Sequence, residues 1–238
     1  MRQKEFSLNP KRMPRHIAII LDGNRRWAKT RGLSANEGHR AGVHNLERIV
    51  DECKLLGIKY LTVYALSTEN WRKRTKEEVR GIFDLIVEMF RRKKKEYKKG
   101  GVKVVILGNF QAFPRRVKRA IESMLSVVLD RERIKFNMAL NYGGRDEIVR
   151  AVQEIIKEGI PANKVDKQTI NSHLYTKGQP DPDLIIRTGG ELRLSNFLLW
   201  QMSYSELYFT NTFWPAFGKR ELHKAIAEYQ KRQRRYGK

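Results

Sequence analysis

Three short stretches carry the residues that could do chemistry, and each begins where an apolar run stops. Ile17-Ala18-Ile19-Ile20-Leu21 gives way to Asp22-Gly23-Asn24-Arg25-Arg26-Trp27. Ile58 to Leu66 gives way to Ser67-Thr68-Glu69-Asn70-Trp71, followed by Arg72-Lys73-Arg74. Leu184-Ile185-Ile186 gives way to Arg187-Thr188-Gly189-Gly190-Glu191-Leu192-Arg193-Leu194-Ser195. Arginine forks match phosphate oxygens. Paired glycines let backbone approach an anion, and a serine near a helix start lies beside free N–H groups. A strand-end carboxylate can handle a divalent cation. The set is an inventory for holding a diphosphate with Mg²⁺. Singly, each has a plainer explanation: Asp22 as the cap of the next helix, Thr188-Gly189-Gly190 as a tight turn. Three such stretches in one chain favour the site. As an exposed strand-end carboxylate, Asp22 is expected to matter for chemistry and little for stability.

The three stretches meet only if their strands run parallel, because strand ends then share one edge of the sheet, where ligands bind in open α/β folds. The spacing of apolar residues predicts helices over Glu37–Leu56, Lys76–Lys99, Pro114–Leu129, Arg145–Glu158 and Lys219–Arg235, with a short helix inside 159–182 and another over Asn196–Tyr204. Ile58–Leu66, Val102–Leu107, Ile134–Leu140, Leu184–Ile186 and Leu207–Phe209 read as further strands. This alternation argues for an α/β fold: one domain over 16–238, with a mostly parallel six-stranded sheet flanked by helices. Residues 1–15, polar and basic with Pro10 and Pro14, read as a loosely held basic arm.

The chain has 238 residues, 40% of them hydrophobic, which is enough for one sizeable core. Its 49 Lys+Arg against 26 Asp+Glu give a formal charge of +23, so a polyanionic partner is expected: nucleic acid, an anionic membrane face or phosphorylated substrates. The basic runs Arg91–Lys95, Lys98–Lys99 and Lys231–Arg235 read as solvated faces. Nucleic acid is disfavoured, because no recognised binding module and no open interleaving of aromatic and basic residues is present. The lone Cys53 excludes a disulfide framework and points to a reducing, cytoplasmic setting, consistent with the absence of a secretory leader pattern. Apolar runs of about five residues fall far short of the ~20 that span a bilayer, so membrane contact would be peripheral. Neither a P-loop nor a G-x-G-x-x-G fingerprint is present. The five histidines form no metal-ligand pattern, although His39 could act alone near the strand-end crevice.

The motifs HIAIILDGNRRWAK, EGHRAG, YALSTENW, LNYGGRDEI and DLIIRTGGELRLSNFLLWQMSYSELYF, with Trp214-Pro215 after them, carry a resemblance. From about Pro14 to Arg235 the chain resembles the cis-prenyltransferases, the family of undecaprenyl diphosphate synthase and dehydrodolichyl diphosphate synthase. The resemblance implies a homodimer and a sheet-and-helix fold with an apolar tunnel. It also implies Mg²⁺-dependent addition of isopentenyl diphosphate to an allylic diphosphate with cis geometry. Carried over, Asp22 is the catalytic, metal-handling carboxylate, and Glu206 is the other metal carboxylate, contributed across the dimer interface. Gly23, Asn24, Arg26 and His39 match positions around the allylic diphosphate, and Trp27 an aromatic near it. Arg187, Arg193 and Ser195 match the isopentenyl diphosphate site, with Leu194 between them. Asn70 matches the residue assigned to proton removal, with Ser67, Thr68, Glu69 and Trp71 beside it. Ile82, Phe83, Ile86, Val87 and Phe90 are candidates to line the tunnel, each equally explained as core.

Two departures concern the allylic side. The family's arginine thirteen residues after the catalytic Asp is Ala35 here, and its arginine three after the catalytic Asn is Lys73. The pair Arg25-Arg26 is similar to archaeal and eukaryotic members, which makes geranylgeranyl diphosphate, besides farnesyl diphosphate, an expected starter. Arg25, assisted by Lys73 or Arg74, is the expected replacement for the missing cation.

Overall fold

All five residues of β1 (His16–Ile20) are buried, a pattern that a strand adopts in the middle of a parallel sheet covered on both faces. The computed structural model, which describes residues 6–232, places it so. The other strands are β2 (Tyr60–Ser67), β3 (Val102–Leu107), β4 (Ile134–Tyr142), β5 (Leu184–Arg187) and β6 (Glu206–Phe209). They pair in the order β3-β4-β2-β1-β5-β6, every pair parallel. Ile20 is in register with Tyr64 on one side and Arg187 on the other, so β1 and β5 end side by side and β2 runs on past them to Ser67.

Helices α1 (Asn24–Lys29), α2 (Ala35–Leu55), α3 (Thr68–Lys73), α4 (Lys76–Gly100), α5 (Arg115–Leu125), α6 (Gly144–Lys157), α7 (Lys167–His173) and α8 (Lys219–Lys231) complete the chain. A large core joins α2, α4, α5 and α8 to one face of the sheet, through Ile49, Phe90, Ile121 and Ile226 against Ile17, Ile19, Val63 and Phe136. The other face, with Ala18, Ile20 and Tyr64, is covered by Phe197 and Leu198. The 21-residue α2 opens on a capping box, Ser34 with Glu37. It lies against α1 at Gly42, where a Cβ would stand 2.2 Å from Asn24 Oδ1, so only glycine permits this approach.

Several sequence expectations change. α1 and α3, at six residues each, are too short to show a period, and the N-cap of α1 is Gly23 rather than Asp22. Asn196–Tyr204 is a series of turns rather than a helix. Asn196 is held by three partners: its carbonyl accepts from Gly144 N–H (2.7 Å), its Oδ1 from Arg145 N–H (2.9 Å), and its Nδ2 donates to Glu69 Oε1 (2.8 Å). Ser195, Asn196 and Leu198 accordingly adopt φ of 49°, 65° and 45°, which no right-handed helix accommodates. α5 stops at Leu125, short of Leu129, as Val127 turns inward. The N-terminal stretch is fixed from Asn9 onward, where Asn9 N–H donates to Gln230 Oε1 and Gln230 Nε2 donates back to Asn9 O, both at 2.9 Å. Residues 1–5, the expected helix end at Arg235 and most of the basic run 231–235 lie outside the described residues.

The run Arg91–Lys95 is not a uniform solvated face. Lys93, four residues after Met89 on the inner stripe of α4, is buried and paired with Glu96 at 2.7 Å. Arg92 binds Glu47 at 2.5 Å, and Lys94 donates to Ser123 Oγ at 2.7 Å.

Candidate active site

The ends of β1, β2 and β5 open into one cavity of about 620 Å³. Its mouth is polar, with Asp22, Asn24, Ser67, Glu69, Asn70, Lys73, Arg74, Arg187, Arg193 and Ser195, and His39 lies at its side. Its far part is apolar, lined by Val43 and Leu46 of α2, Ala65 of β2, Met138 of β4 and Ile82, Leu85, Ile86 and Met89 of α4. The α4 residues follow an i, i+3, i+4, i+7 stripe. Phe83, Val87 and Phe90 lie on the neighbouring stripe and pack in the core, so of the five expected tunnel residues only Ile82 and Ile86 face the cavity.

Asp22 is held as firmly as a core residue. Arg187 Nη2 donates to its Oδ2 at 2.9 Å and Arg26 Nη2 to its Oδ1 at 3.0 Å. Its own N–H donates to Thr188 Oγ1 (3.0 Å), while the Thr188 hydroxyl donates to its carbonyl (2.7 Å). Thr188 thereby stitches the end of β1 to the end of β5. The guanidinium of Arg187 is 5% exposed, and its Nη1 donates to Ser195 Oγ (2.8 Å) and to the Arg193 carbonyl. One buried arginine therefore fixes the catalytic-type carboxylate and the whole 193–195 turn.

The glycine pair works differently from the sequence expectation. The N–H groups of Gly189 and Gly190 are spent on the carbonyls of Thr212 (2.9 Å) and Thr210 (2.8 Å), so they offer an anion nothing. The absence of a Cβ at Gly189 makes room for Arg26, whose Nη2 would lie 2.8 Å from one. Ser195, with no helix after it, is no helix cap; its hydroxyl serves Arg187.

On the α2–α4 side, Glu78 accepts from Arg74 Nη1 (2.9 Å) and from His39 Nε2 (3.1 Å). Burial lowers the His39 pKa, and the charges of Arg74 and Arg25 add to this against the pull of Glu78, so the ring is a neutral donor near pH 7. Burial raises the Glu78 carboxyl, but the His39 hydrogen bond and the Arg74 charge outweigh it, leaving it lowered and ionised. Arg74, expected from the sequence as an allylic-side cation, lines the cavity as anticipated, whereas its partner Glu78, four residues on, becomes legible only once the start of α4 is placed.

The remaining expected residues lie apart. Gly23 turns the chain at φ 104° beneath Phe213, and Trp27 packs under Arg31, whose Cζ is 4.4 Å from the ring centroid. Arg25 is exposed and reaches the His39–Glu78–Arg74 group only by its charge. Thr68 and Trp71 line outer pockets, and Leu194 packs on the second core. Glu206 opens β6 opposite Leu184, at the end of the strands away from Asp22, where it pairs with Arg232 at 2.7 Å. Parallel register keeps Asp22 and Glu206 apart within one chain. Among the described residues no group of three His, Cys, Asp or Glu side chains is placed to hold a metal.

A polar, arginine-bearing mouth at the strand ends of a parallel sheet, opening on an apolar interior, suits molecules with an anionic head and a hydrocarbon tail. Residues 20–237 match the prenyltransferase family model for undecaprenyl diphosphate synthase, and the chain belongs to that family. It is 48% identical to an isoprenyl transferase of Clostridium perfringens, over 98% of this chain and 94% of that protein. It is 47% identical to an isoprenyl transferase of Thermotoga maritima, over 95% of this chain and 97% of that protein. Its structure is similar to that of lavandulyl diphosphate synthase from Lavandula x intermedia, solved with dimethylallyl diphosphate. The TM-score is 0.91 at 37% identity, covering 96% of this chain and all of that one. The protein is an enzyme that transfers prenyl groups.

Proposed function

We propose that the chain elongates a prenyl diphosphate with cis geometry, adding isopentenyl diphosphate repeatedly to an allylic diphosphate, farnesyl or geranylgeranyl, to give a long-chain polyprenyl diphosphate for a glycosyl carrier lipid. The cavity that joins an arginine-bearing mouth to an apolar interior carries this reading, because a growing hydrocarbon tail needs walls free of water while its diphosphate stays at the mouth. In each cycle the allylic carbon–oxygen bond breaks with its electrons leaving on pyrophosphate. The isopentenyl double bond then supplies the pair for the new carbon–carbon bond, and a proton is lost.

Arg26 and Arg74, with Lys73, would hold the leaving diphosphate as its charge grows, and Arg187, Arg193 and Ser195 would hold isopentenyl diphosphate. Asn70 lines the cavity from α3, and its amide would steer the lost proton toward the departing pyrophosphate. Asp22 would hold Mg²⁺, a cation that takes one or two carboxylates together with substrate phosphates. The fit rests on Asp22 alone among these side chains: its oxygens accept from Arg187 (2.9 Å) and Arg26 (3.0 Å), so a metal would share the carboxylate with these arginines, while Asn24 Oδ1 packs against Gly42 of α2 and is not available to it. When bound, the metal neutralises charge on the departing diphosphate.

A homodimer is supported by two surfaces: the edge strand β6, and a stripe on α6, Val149, Val152 and Ile156, exposed by 55%, 41% and 70%. A second copy is also the source of a Glu206 carboxylate that one chain cannot bring to Asp22. No helix among the described residues is long and apolar enough to cross a membrane. The product nonetheless belongs in one, and the basic groove between α4 and α5, with Arg91, Arg116 and Arg119, suits a peripheral docking on the inner face of the cytoplasmic membrane. Steady-state kinetics test the assignment: Arg193→Ala raises the KM for isopentenyl diphosphate by about tenfold or more. A rise confined to the allylic KM would reverse the two subsites.

A further inference from the structure

Glu191 stands between Arg193, which lines the cavity mouth, and Arg26, which reaches that mouth through its bond to Asp22. Its Oε2 accepts from Arg193 Nη1 at 2.5 Å, and its Oε1 lies 3.5 Å from Arg26 Nη1. Arg26 also binds Asp22, which Arg187 shares, so each of the three arginines is engaged by a carboxylate of its own chain, although two carboxylates leave the group one positive charge in excess. A guanidinium fork engaged by a carboxylate cannot present the same N–H groups to a diphosphate, and Glu191 would repel the diphosphate if it stayed. The backbone below is fixed by the Gly189 and Gly190 bonds to Thr212 and Thr210. The side chain of Glu191, one-third exposed, is therefore the part free to swing.

We propose that Glu191 is a gating carboxylate, a built-in competitor that keeps Arg26 and Arg193 paired until a diphosphate displaces it and that reclaims them as pyrophosphate departs. It is a positioning residue and takes no part in bond making. The proposal rests on the reading of this mouth as a diphosphate site. Its distinctive consequence is one of sign: removing this acid tightens anion binding, whereas removing a residue that merely shapes the turn loosens it. While the gate operates, the arginines are kept from self-repulsion and from stray anions, and each pyrophosphate released meets a carboxylate ready to take its place.

The test is titration of inorganic pyrophosphate into the full chain and its variants, followed by steady-state kinetics. Glu191→Gln, which keeps the shape and removes the charge, binds pyrophosphate about three- to tenfold more tightly, the range set by two partly exposed ion pairs. The same variant lowers the KM for isopentenyl diphosphate without raising kcat, because release of pyrophosphate slows. Glu191→Asp, charged but shorter, lies between the two. If Arg193→Gln weakens pyrophosphate binding while Glu191→Gln leaves it unchanged or weakens it, the gate is refuted and the diphosphate site stands. If Arg193→Gln has no effect on pyrophosphate, the site reading falls and the gate with it.

Discussion

Asp22→Ala is a stability experiment as well as a catalytic one. The carboxylate is 27% exposed, but its partner Arg187 is 5% exposed, and its removal leaves a buried guanidinium whose Nε already lacks a partner. Breaking a fully buried ion pair costs roughly 3–5 kcal/mol. Here Arg187 keeps Ser195 Oγ and the Arg193 carbonyl, and water can reach the vacated side, so the expected loss is about 2 kcal/mol. For a chain of this size that is a fall in Tm of roughly 4–8 °C. Denaturant unfolding near neutral pH measures it. Asp22→Asn, which keeps an acceptor oxygen, loses less, and Arg187→Met in the Asp22→Ala background recovers part of the loss, giving a coupling of at least about 1 kcal/mol. Turnover is lost in both Asp22 variants. An Asp22→Ala protein as stable as the parent would refute the reasoning, since Arg187 would then not depend on this carboxylate.

Other consequences follow from buried groups. His16 is neutral in the fold, where burial holds its pKa down to about 4, well below the ordinary histidine value of 6.5; its Nδ1–H donates to Pro180 O and its Nε2 accepts from Thr62 Oγ1. The unfolded chain therefore binds the extra proton more readily, so this contribution is intact above about pH 6.5 and is lost as pH falls toward 4, by about 1.4 kcal/mol per unit. Unfolding from pH 7.5 to 4.5 checks it, with His16→Gln expected to flatten the slope. On the allylic side, Arg74→Gln raises the allylic KM by about tenfold or more, and Arg25→Gly by clearly less, because Arg74 lines the cavity and Arg25 does not. Equal effects would restore Arg25 as a direct ligand. Vesicle binding at low salt falls when Arg91 and Arg119 are both changed to Gln, by roughly 1 kcal/mol per charge on anionic lipid and not on neutral lipid.

The fold is legible in the sequence where local signals are strong and additive. The run Ile17–Ile20 and the alternation of strands with long amphipathic helices determine the parallel sheet, and parallel strands bring Asp22, Ser67 and Arg187 to one edge whatever the details. It is not legible where a residue's conformation is decided by distant partners. The apolar stretch 196–204 has helical composition, yet Asn196 is claimed by Gly144, Arg145 and Glu69 from other elements. Gly189 and Gly190 announce special backbone, but not that β6 would consume their N–H groups. Lys93 sits in a run of cations that looks solvated, and only the phase of α4 turns it inward. Glu78, Thr188 and Glu191 were not singled out, because a carboxylate or hydroxyl that works on a neighbour's charge leaves no spacing signal of its own.

Incubation of the protein with labelled isopentenyl diphosphate, Mg²⁺ and either farnesyl or geranylgeranyl diphosphate, followed by sizing and double-bond analysis of the products, tests the central claim most directly. The account predicts a ladder of polyprenyl diphosphates whose added units are cis, formed by the parent chain and absent with Asp22→Ala. Products whose added units are trans, or an Asp22→Ala enzyme that still elongates, would contradict it.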